Sequence, residues 1–536
     1  MILSPTTHVD TTCRTSLPPA DNWPELHFDL PQLQYPERLN CATALLDDVI
    51  AGHGADRPCL LTPAGETWSY GRLRATANRV AHFLVDRLGV VPGNRVLLRG
   101  PNNPWLVACW FGVLKAGAVA VPTMPMLRAR ELRDIREIAA ADIALCDHRF
   151  VAELTGDGLE GVTTVPYGGP GTDDLCALVA DLPDRFEDVL TAADDVALLA
   201  FTSGTTGRPK ATMHFHRDVL AIADTFSVHV VKPRPDDVFA GTPPLAFTFG
   251  LGGGLVFPLR AGASTLLIEK ATPAELARHV AAHRVTVCFT APTAYRAMIA
   301  DGDAGLLSTL RRAVSAGEHL GEATWRAFHA STGVRLIDGI GSTEMLHVFI
   351  SAADDDIRPG ATGRVVPGYQ ARIVDEAGEP VPDGTPGRLA VKGPTGCRYL
   401  ADDRQKIYVE NGWNITGDTF TRDPDGYFWY HARNDDMIVS SGYNIAGPEV
   451  EEAVLTHPDV LECAVVGTPD DARGSVVTAF VRLRDGAPAG DAVAAQIQRH
   501  VKATIAPYKY PRLVHFVDAL PRTATGKLQR FRLRSS

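Results

Sequence analysis

The stretch from Phe201 to Lys210 reads FTSGTTGRPK, and its residues Thr202, Ser203, Gly204, Thr205, Thr206 and Gly207 are all Ser, Thr or Gly. Glycines let backbone N–H groups approach an anion, short hydroxyls add donors, and Lys210 supplies a fixed positive charge. That combination suits phosphate. The loop is not a Walker A sequence, because Pro209 precedes the lysine and Ala211 follows it. Ser203 is not a nucleophile elbow, since no G-x-S-x-G frames it. In isolation such a stretch would better suit a polar surface loop. Its surroundings decide: VALLAF (196–201) reads as a buried strand before it, and Val219, Ile222, Ala223 and Phe226 share one face of a helical pattern after it. The expected layout is strand, glycine-rich loop, helix. Two further glycine runs, GLGGGL (250–255) and GIGSTE (339–344), lack the third glycine of the dinucleotide fingerprint, which argues against a nicotinamide enzyme.

The elements that must position this loop alternate from about residue 45 to 350. RLRATANRVAHFL and PWLVACWFGVLKAG read as helices; RVLLRG, AVAVP, STLLIEK, TVCFTAP, RAVSAGE and RLIDGIG read as strands. Such alternation implies parallel sheets covered by helices. After residue 360 short strands and turns suggest a small antiparallel β unit. From about 436 the pattern helix, strand, strand, helix, strand suits a small α+β unit. The fold class is therefore α/β with α+β: residues 1–34 as an N-terminal arm, loose over its first 20 or so residues, 35–434 as a large domain, and 435–536 as a small mobile lid, with the boundary near ARNDDM (432–437).

The chain has 536 residues, too many for one ordinary domain. A net charge of −11 argues against a general nucleic-acid or membrane-surface binder. Nine cysteines without a C-x-x-C give neither a zinc site nor a disulfide framework, and point to a reducing cytoplasm. No signal-peptide pattern opens the sequence and no apolar run is long enough to span a bilayer.

Five motifs, TSGTTGRPK, DGIGSTE, WNITGD, RNDDMIVSSGYNIAGPEVE and PRTATGKLQR, come in an order that resembles the superfamily of adenylate-forming acyl-CoA synthetases, peptide-synthetase adenylation domains and luciferases. PPLAFTFGLGGGLVFPL and DGIGSTEMLHVF look like the benzoate-CoA ligase branch, and CRYLADDRQKIYVENGWNITGD is similar to 2-aminobenzoate-CoA ligases. The resemblance implies two half-reactions: a carboxylate attacks the α-phosphate of ATP, giving acyl-AMP and pyrophosphate, and a thiol then displaces AMP. It implies that Thr202 to Lys210 grip the β- and γ-phosphates, that Glu344 holds Mg²⁺, a hard cation suited to oxygen ligands, and that Thr343 contacts the α-phosphate. Ala316, Gly317 and Glu318 with Asp338, Gly339 and Ile340 would wall the adenine site. Asp418 and Arg433 would contact ribose, and Lys527 would bridge carboxylate and α-phosphate as the catalytic lysine. Asp435 would be the hinge and Gly442 would flank the thiol channel. Taken singly, Asp418 would be a turn residue, Glu344 a helix N-terminal acid and Lys527 a solvated lysine; order and spacing lift them together.

The resemblance places an aryl pocket at Phe247, Thr248, Phe249, Gly250, Gly341, Met345 and His347. Aromatic rings facing glycines make a flat slot that stacks on an aryl ring. His347 would either hydrogen-bond an ortho amino or hydroxyl group or be a satisfied core histidine. The leading expectation is an ATP- and Mg²⁺-dependent aryl-CoA ligase, monomeric or homodimeric, acting on a small aryl carboxylic acid. An alternative transfers the aryl group to the phosphopantetheine thiol of an acyl carrier protein, and a remote one is a non-catalytic nucleotide-binding protein.

Overall fold

In the computed structural model the described residues are 3–156, 158–202, 209–433, 437–440, 443–470, 474–505, 507–522 and 528–534. The runs that read as buried strands assemble into two large sheets. In one, nine strands lie in the order Arg364–Val365, Val348–Ser351, Leu336–Gly341, Arg312–Ala316, Val287–Thr290, Val238–Gly241, Ser264–Leu266, Pro58–Leu61, Thr67–Ser69. Its centre is parallel and its outer strands antiparallel. The other runs Thr163–Tyr167, Ile143–Asp147, Arg95–Arg99, Val119–Thr123, Val196–Thr202, Lys210–Phe215. Helices Tyr70–His82 and Pro104–Lys115 match the expected segments. The second is buried along its whole length, as its near-continuous apolar sequence requires. Asn103 caps it, its side chain accepting from Leu106 N at 2.9 Å, with Pro104 in the first turn.

The antiparallel β unit forms from Gln370–Val374, Gly387–Lys392, Val409–Glu410, Trp413–Arg422 and Phe428–Arg433. The C-terminal part begins with the hairpin Met437–Ser440/Tyr443–Ala446, then follows the expected order: helix Gly447–Leu455, strands Val460–Asp470 and Gly474–Leu483, helix Asp491–Thr504, strand Leu513–Phe516. It has its own apolar core around Val450, Val477 and Ile497.

Two expectations are corrected. The N-terminal arm is not loose. Cys13 is fully buried, the Ser4 and Thr7 amides donate to Asp194 and Asp195 at 3.1 and 3.0 Å, and Arg14 pairs with Asp194. Side-chain to backbone bonds hold the arm where no apolar periodicity announces it. The glycine-rich loop, moreover, does not lead into a helix. Lys210–Phe215 is a strand antiparallel to Val196–Thr202, with Lys210 opposite Thr202, and the helix His216–Ile222 starts only afterwards. The two strands form a β-hairpin, and the fixed charge at its end is that of Lys210 rather than of a helix terminus.

Candidate functional site

Three segments distant in the chain meet at Glu344. Lys210 begins the second strand of the hairpin, Glu344 follows strand Leu336–Gly341, and Tyr399 lies on a segment bonded along the hairpin's edge. Met213 N donates to Arg398 O at 2.7 Å and Leu400 N to Ala211 O at 2.9 Å, which fixes Tyr399 between them. Its hydroxyl donates to Glu344 Oε1 at 2.6 Å and also contacts Lys210 Nζ, which lies 3.2 Å from the same oxygen. The lysine ammonium sits 4.4 Å from the Tyr399 ring centre, a cation–π arrangement. Burial, then the Glu344 charge, pushes the Tyr399 hydroxyl pKa far up, so it stays a donor.

The turn carrying Thr343 and Glu344 is anchored from below. His214, fully buried, has Nε2 2.8 Å from Thr343 O; a carbonyl only accepts, so Nε2 carries the proton. Burial lowers the His214 pKa to about 3, helped by the neighbouring Arg398 charge. Arg398 pairs with Asp218, both with side chains fully buried. Ser342 Oγ accepts from Met345 N at 3.2 Å and lies 3.0 Å from the Tyr408 hydroxyl. Leu346 closes the turn with φ +66, an uncommon conformation for a residue with a Cβ.

Ala316 and Gly339 are paired on neighbouring parallel strands, as are Ser315 and Asp338. Gly317 turns out of its strand with φ +88. These lie at the carboxyl ends of parallel strands, where open α/β sheets carry their ligands. The Asp338 carboxyl points inward although the residue as a whole is half-buried. Burial raises its pKa to about 7, against the opposing Ser315 hydroxyl (3.1 Å) and Gly339 N–H. Ile340 is half-buried on the same strand. Asp418 and Arg433 stand opposite each other on paired strands, 3.9 Å apart. His319, next to Glu318, stacks on Tyr430 of the Arg433 strand at 5.4 Å, which brings the two regions together.

Of the residues read as an aryl pocket, Phe249 and His347 meet, with ring centres 5.6 Å apart. Phe247, Thr248 and Phe249 are half-buried at the start of a short helix, while Gly250 is buried and Gly341 exposed. Gly250 has no room for a side chain: a Cβ there would lie 2.1 Å from Pro244 O. Met345 is fully buried in the main core. His347 lies in a nest of Phe257, Phe226 and Phe249, with ring centres at 4.6, 5.2 and 5.6 Å. Neither of its ring nitrogens meets a hydrogen-bond partner in good geometry among the described residues. Burial lowers its pKa to about 3, only weakly opposed by the Phe249 backbone, so the ring is neutral.

Ser203 to Gly207, Asp435, Gly442 and Lys527 lie outside the described residues. Arg522, five positions before Lys527, reaches Glu318 at 3.4 Å and Glu462 at 3.1 Å. Sequence reading missed Tyr399, His214 and the Phe226–Phe257 wall. No spacing rule flags them, because each depends on segments distant in the chain.

Comparison with known proteins matches residues 46–399 to the AMP-binding enzyme model and 449–527 to the AMP-binding enzyme C-terminal domain. The chain is 36% identical over 518 residues to a benzoate–CoA ligase of Thauera aromatica, covering 94% of this chain and 98% of that one. It is 34% identical to a 3-hydroxybenzoate–CoA ligase of an Aromatoleum species, covering 92% and 96%. Among solved structures, the anthranilate CoA ligase AuaEII in complex with anthranoyl-AMP superposes with a TM-score of 0.90 at 34% identity, over 94% of this chain and 98% of that one.

Proposed function

The chain belongs to the AMP-binding enzyme family and is an AMP-forming ligase, and from that premise we propose that it converts a benzoate-type acid, with 2-aminobenzoate or a related ortho-substituted ring preferred, to its aryl-CoA thioester. The relatives are named for CoA, so a carrier-protein thiol is not favoured as acceptor. One observation supports the ring assignment most: the neutral His347, with both nitrogens unpartnered, among the aromatic rings beside Phe249. A buried unsatisfied nitrogen costs about 1–3 kcal/mol, and an ortho amino or hydroxyl group would relieve that cost.

In this reading the acid's carboxylate oxygen attacks the α-phosphate, pyrophosphate leaves, and the CoA thiol then displaces AMP from the carbonyl. The obstacle in the first step is the meeting of two anions, which cationic and N–H donors must offset. Residues Thr202 to Gly207 with Lys210 hold the β- and γ-phosphates, Thr343 the α-phosphate, and Lys527 the charge gathering between carboxylate and phosphate. Ala316 to Glu318 and Asp338 to Ile340 enclose adenine, and Asp418 and Arg433 take the ribose. Glu344, a nearly buried carboxylate beside Lys210, suits a Mg²⁺ ion held by one carboxylate and substrate phosphates. When bound, that ion neutralises phosphate charge. Residues 435–536 serve as the lid that turns about Asp435 to bring Gly442 to the thiol channel.

Assaying AMP release from ATP with benzoate, 2-aminobenzoate, salicylate and 3-hydroxy-2-aminobenzoate, with and without CoA, tests the reading. The ortho-substituted acids should give the highest kcat/KM and thioester should form only with CoA. Equal use of unsubstituted benzoate would remove the ortho preference, and AMP release indifferent to any aryl acid would remove the ligase assignment.

A further inference from the structure

Tyr399 takes no part in the reading above, yet it touches two of its charged members, Glu344 and Lys210. Its hydroxyl donates to Glu344 Oε1 at 2.6 Å and meets Lys210 Nζ. The other carboxylate oxygen, Oε2, makes no hydrogen bond among the described residues. The tyrosine is itself pinned: 1% exposed, its amide donating to Gln405 Oε1 at 2.8 Å, and its neighbours bonded to Ala211 and Met213 of the hairpin. Gln405 in turn donates to Cys397 O and to Asn22 O of the N-terminal arm, at 3.0 and 2.8 Å. A rigid phenol therefore touches both members of a direct ion pair, the Glu344 carboxylate and the Lys210 ammonium 3.2 Å from it, and fixes which carboxylate oxygen the lysine shares.

We propose that Tyr399 is a positioning residue for cation and phosphate binding: by occupying Glu344 Oε1 and holding Lys210 beside it, the hydroxyl leaves Oε2 to a divalent cation and the ammonium to the nucleotide's phosphates. This rests on the assignment of Glu344 and Lys210 to the nucleotide site. A second-sphere hydrogen bond of this kind orients its carboxylate without touching substrate, and its loss typically costs about 10- to 100-fold in metal affinity.

Tyr399→Phe removes the hydroxyl and keeps the ring under the lysine. The probe is Mn²⁺ with ATP: free Mn²⁺ is followed by electron paramagnetic resonance as protein is added, so the readout is binding rather than turnover. Tyr369→Phe is the comparison, since it too deletes a buried hydroxyl, one that meets Thr395 at 3.2 Å. The Mn²⁺–ATP midpoint of Tyr399→Phe should rise at least about tenfold. Half-saturation by aryl acid and the melting temperature should stay close to those of Tyr369→Phe. A midpoint moved no further than in Tyr369→Phe overturns the positioning role. So does a midpoint shift matched by an equal loss of aryl-acid binding, the signature of a general packing defect. Absence of Mn²⁺–ATP binding by the wild-type protein overturns the nucleotide assignment itself, and this proposal with it.

Discussion

Under the proposed function His347 carries the ring preference through what it lacks. Its two nitrogens have no partner among the described residues, and its neighbours are aromatic rings. His347→Ala should cost 2-aminobenzoate about tenfold to hundredfold in kcat/KM, the equivalent of about 1–3 kcal/mol, while benzoate loses far less. The ratio of the two kcat/KM values is the measure, since a folding defect lowers both; an unchanged ratio would return His347 to the core. Asp338 is the other residue whose state is set by its surroundings. Its folded pKa is about 7, above the usual carboxylate value, because burial disfavours the charge. The folded state therefore binds more protons than the unfolded one between about pH 4 and 7. Stability contributed at low pH is lost as pH rises through that window, and the loss is complete above the folded pKa. The half-open position moderates the effect to about 1–2 kcal/mol. Asp338→Asn should accordingly melt higher than the wild type by a margin that grows from pH 5 to 8. A margin independent of pH would show an ordinary carboxylate.

At the scale of elements, a glycine run makes the nest that holds His347. The helical segment Gly252–Val256 passes directly beneath the imidazole: a Cβ on Gly252 would stand 2.4 Å from His347 Cδ2, and one on Gly253 would stand 2.5 Å from the Phe289 ring. Gly252→Ala forces one ring to move, an overpacking cost of about 1–3 kcal/mol. It should lower kcat/KM for aryl acids while leaving the KM for ATP within about twofold, the usual behaviour of distant independent sites. A rise in ATP KM of equal size would mean that the two pockets share a wall. Much of this level was legible in the sequence, because buried strands such as Val287–Thr290 and helices such as Pro104–Lys115 write their burial in continuous apolar runs. The hairpin strand Lys210–Phe215 was not. Its residues are buried on both faces, His214 and Thr212 among them, and a buried histidine breaks the apolar pattern that marks a strand. The motif spacing brought Lys210 and Glu344 to one site, whereas Tyr399, 189 residues beyond Lys210, was set beside them only by backbone bonds to the hairpin edge.

Across the whole molecule, one charged contact of Arg522, to Glu318, joins the C-terminal part to the preceding residues, while its contact to Glu462 stays within the C-terminal part. The arginine is 29% exposed, so the link is weak and salt-sensitive. If it steadies the lid for the first half-reaction, Arg522→Ala should slow AMP formation about two- to fivefold, most at low ionic strength, and leave the reaction of supplied aryl-AMP with CoA unchanged. Equal slowing of both halves would assign Arg522 to the lid's own stability. The N-terminal arm was illegible at this scale as well: it is held by hydrogen bonds to Asp194 and Asp195 and by scattered apolar residues, Cys13 and Trp23 among them, that follow no period.

In the proposed reaction an aryl carboxylate oxygen attacks the α-phosphate of ATP. Supplying 2-aminobenzoate labelled with ¹⁸O in both carboxylate positions, with ATP and CoA, and weighing the released AMP by mass spectrometry follows that oxygen directly. One labelled oxygen per AMP is the expected result, because the carboxylate oxygen that forms the acyl–phosphate bond stays with phosphorus when the thiol attacks the carbonyl. Unlabelled AMP formed alongside the thioester would contradict adenylation of the acid.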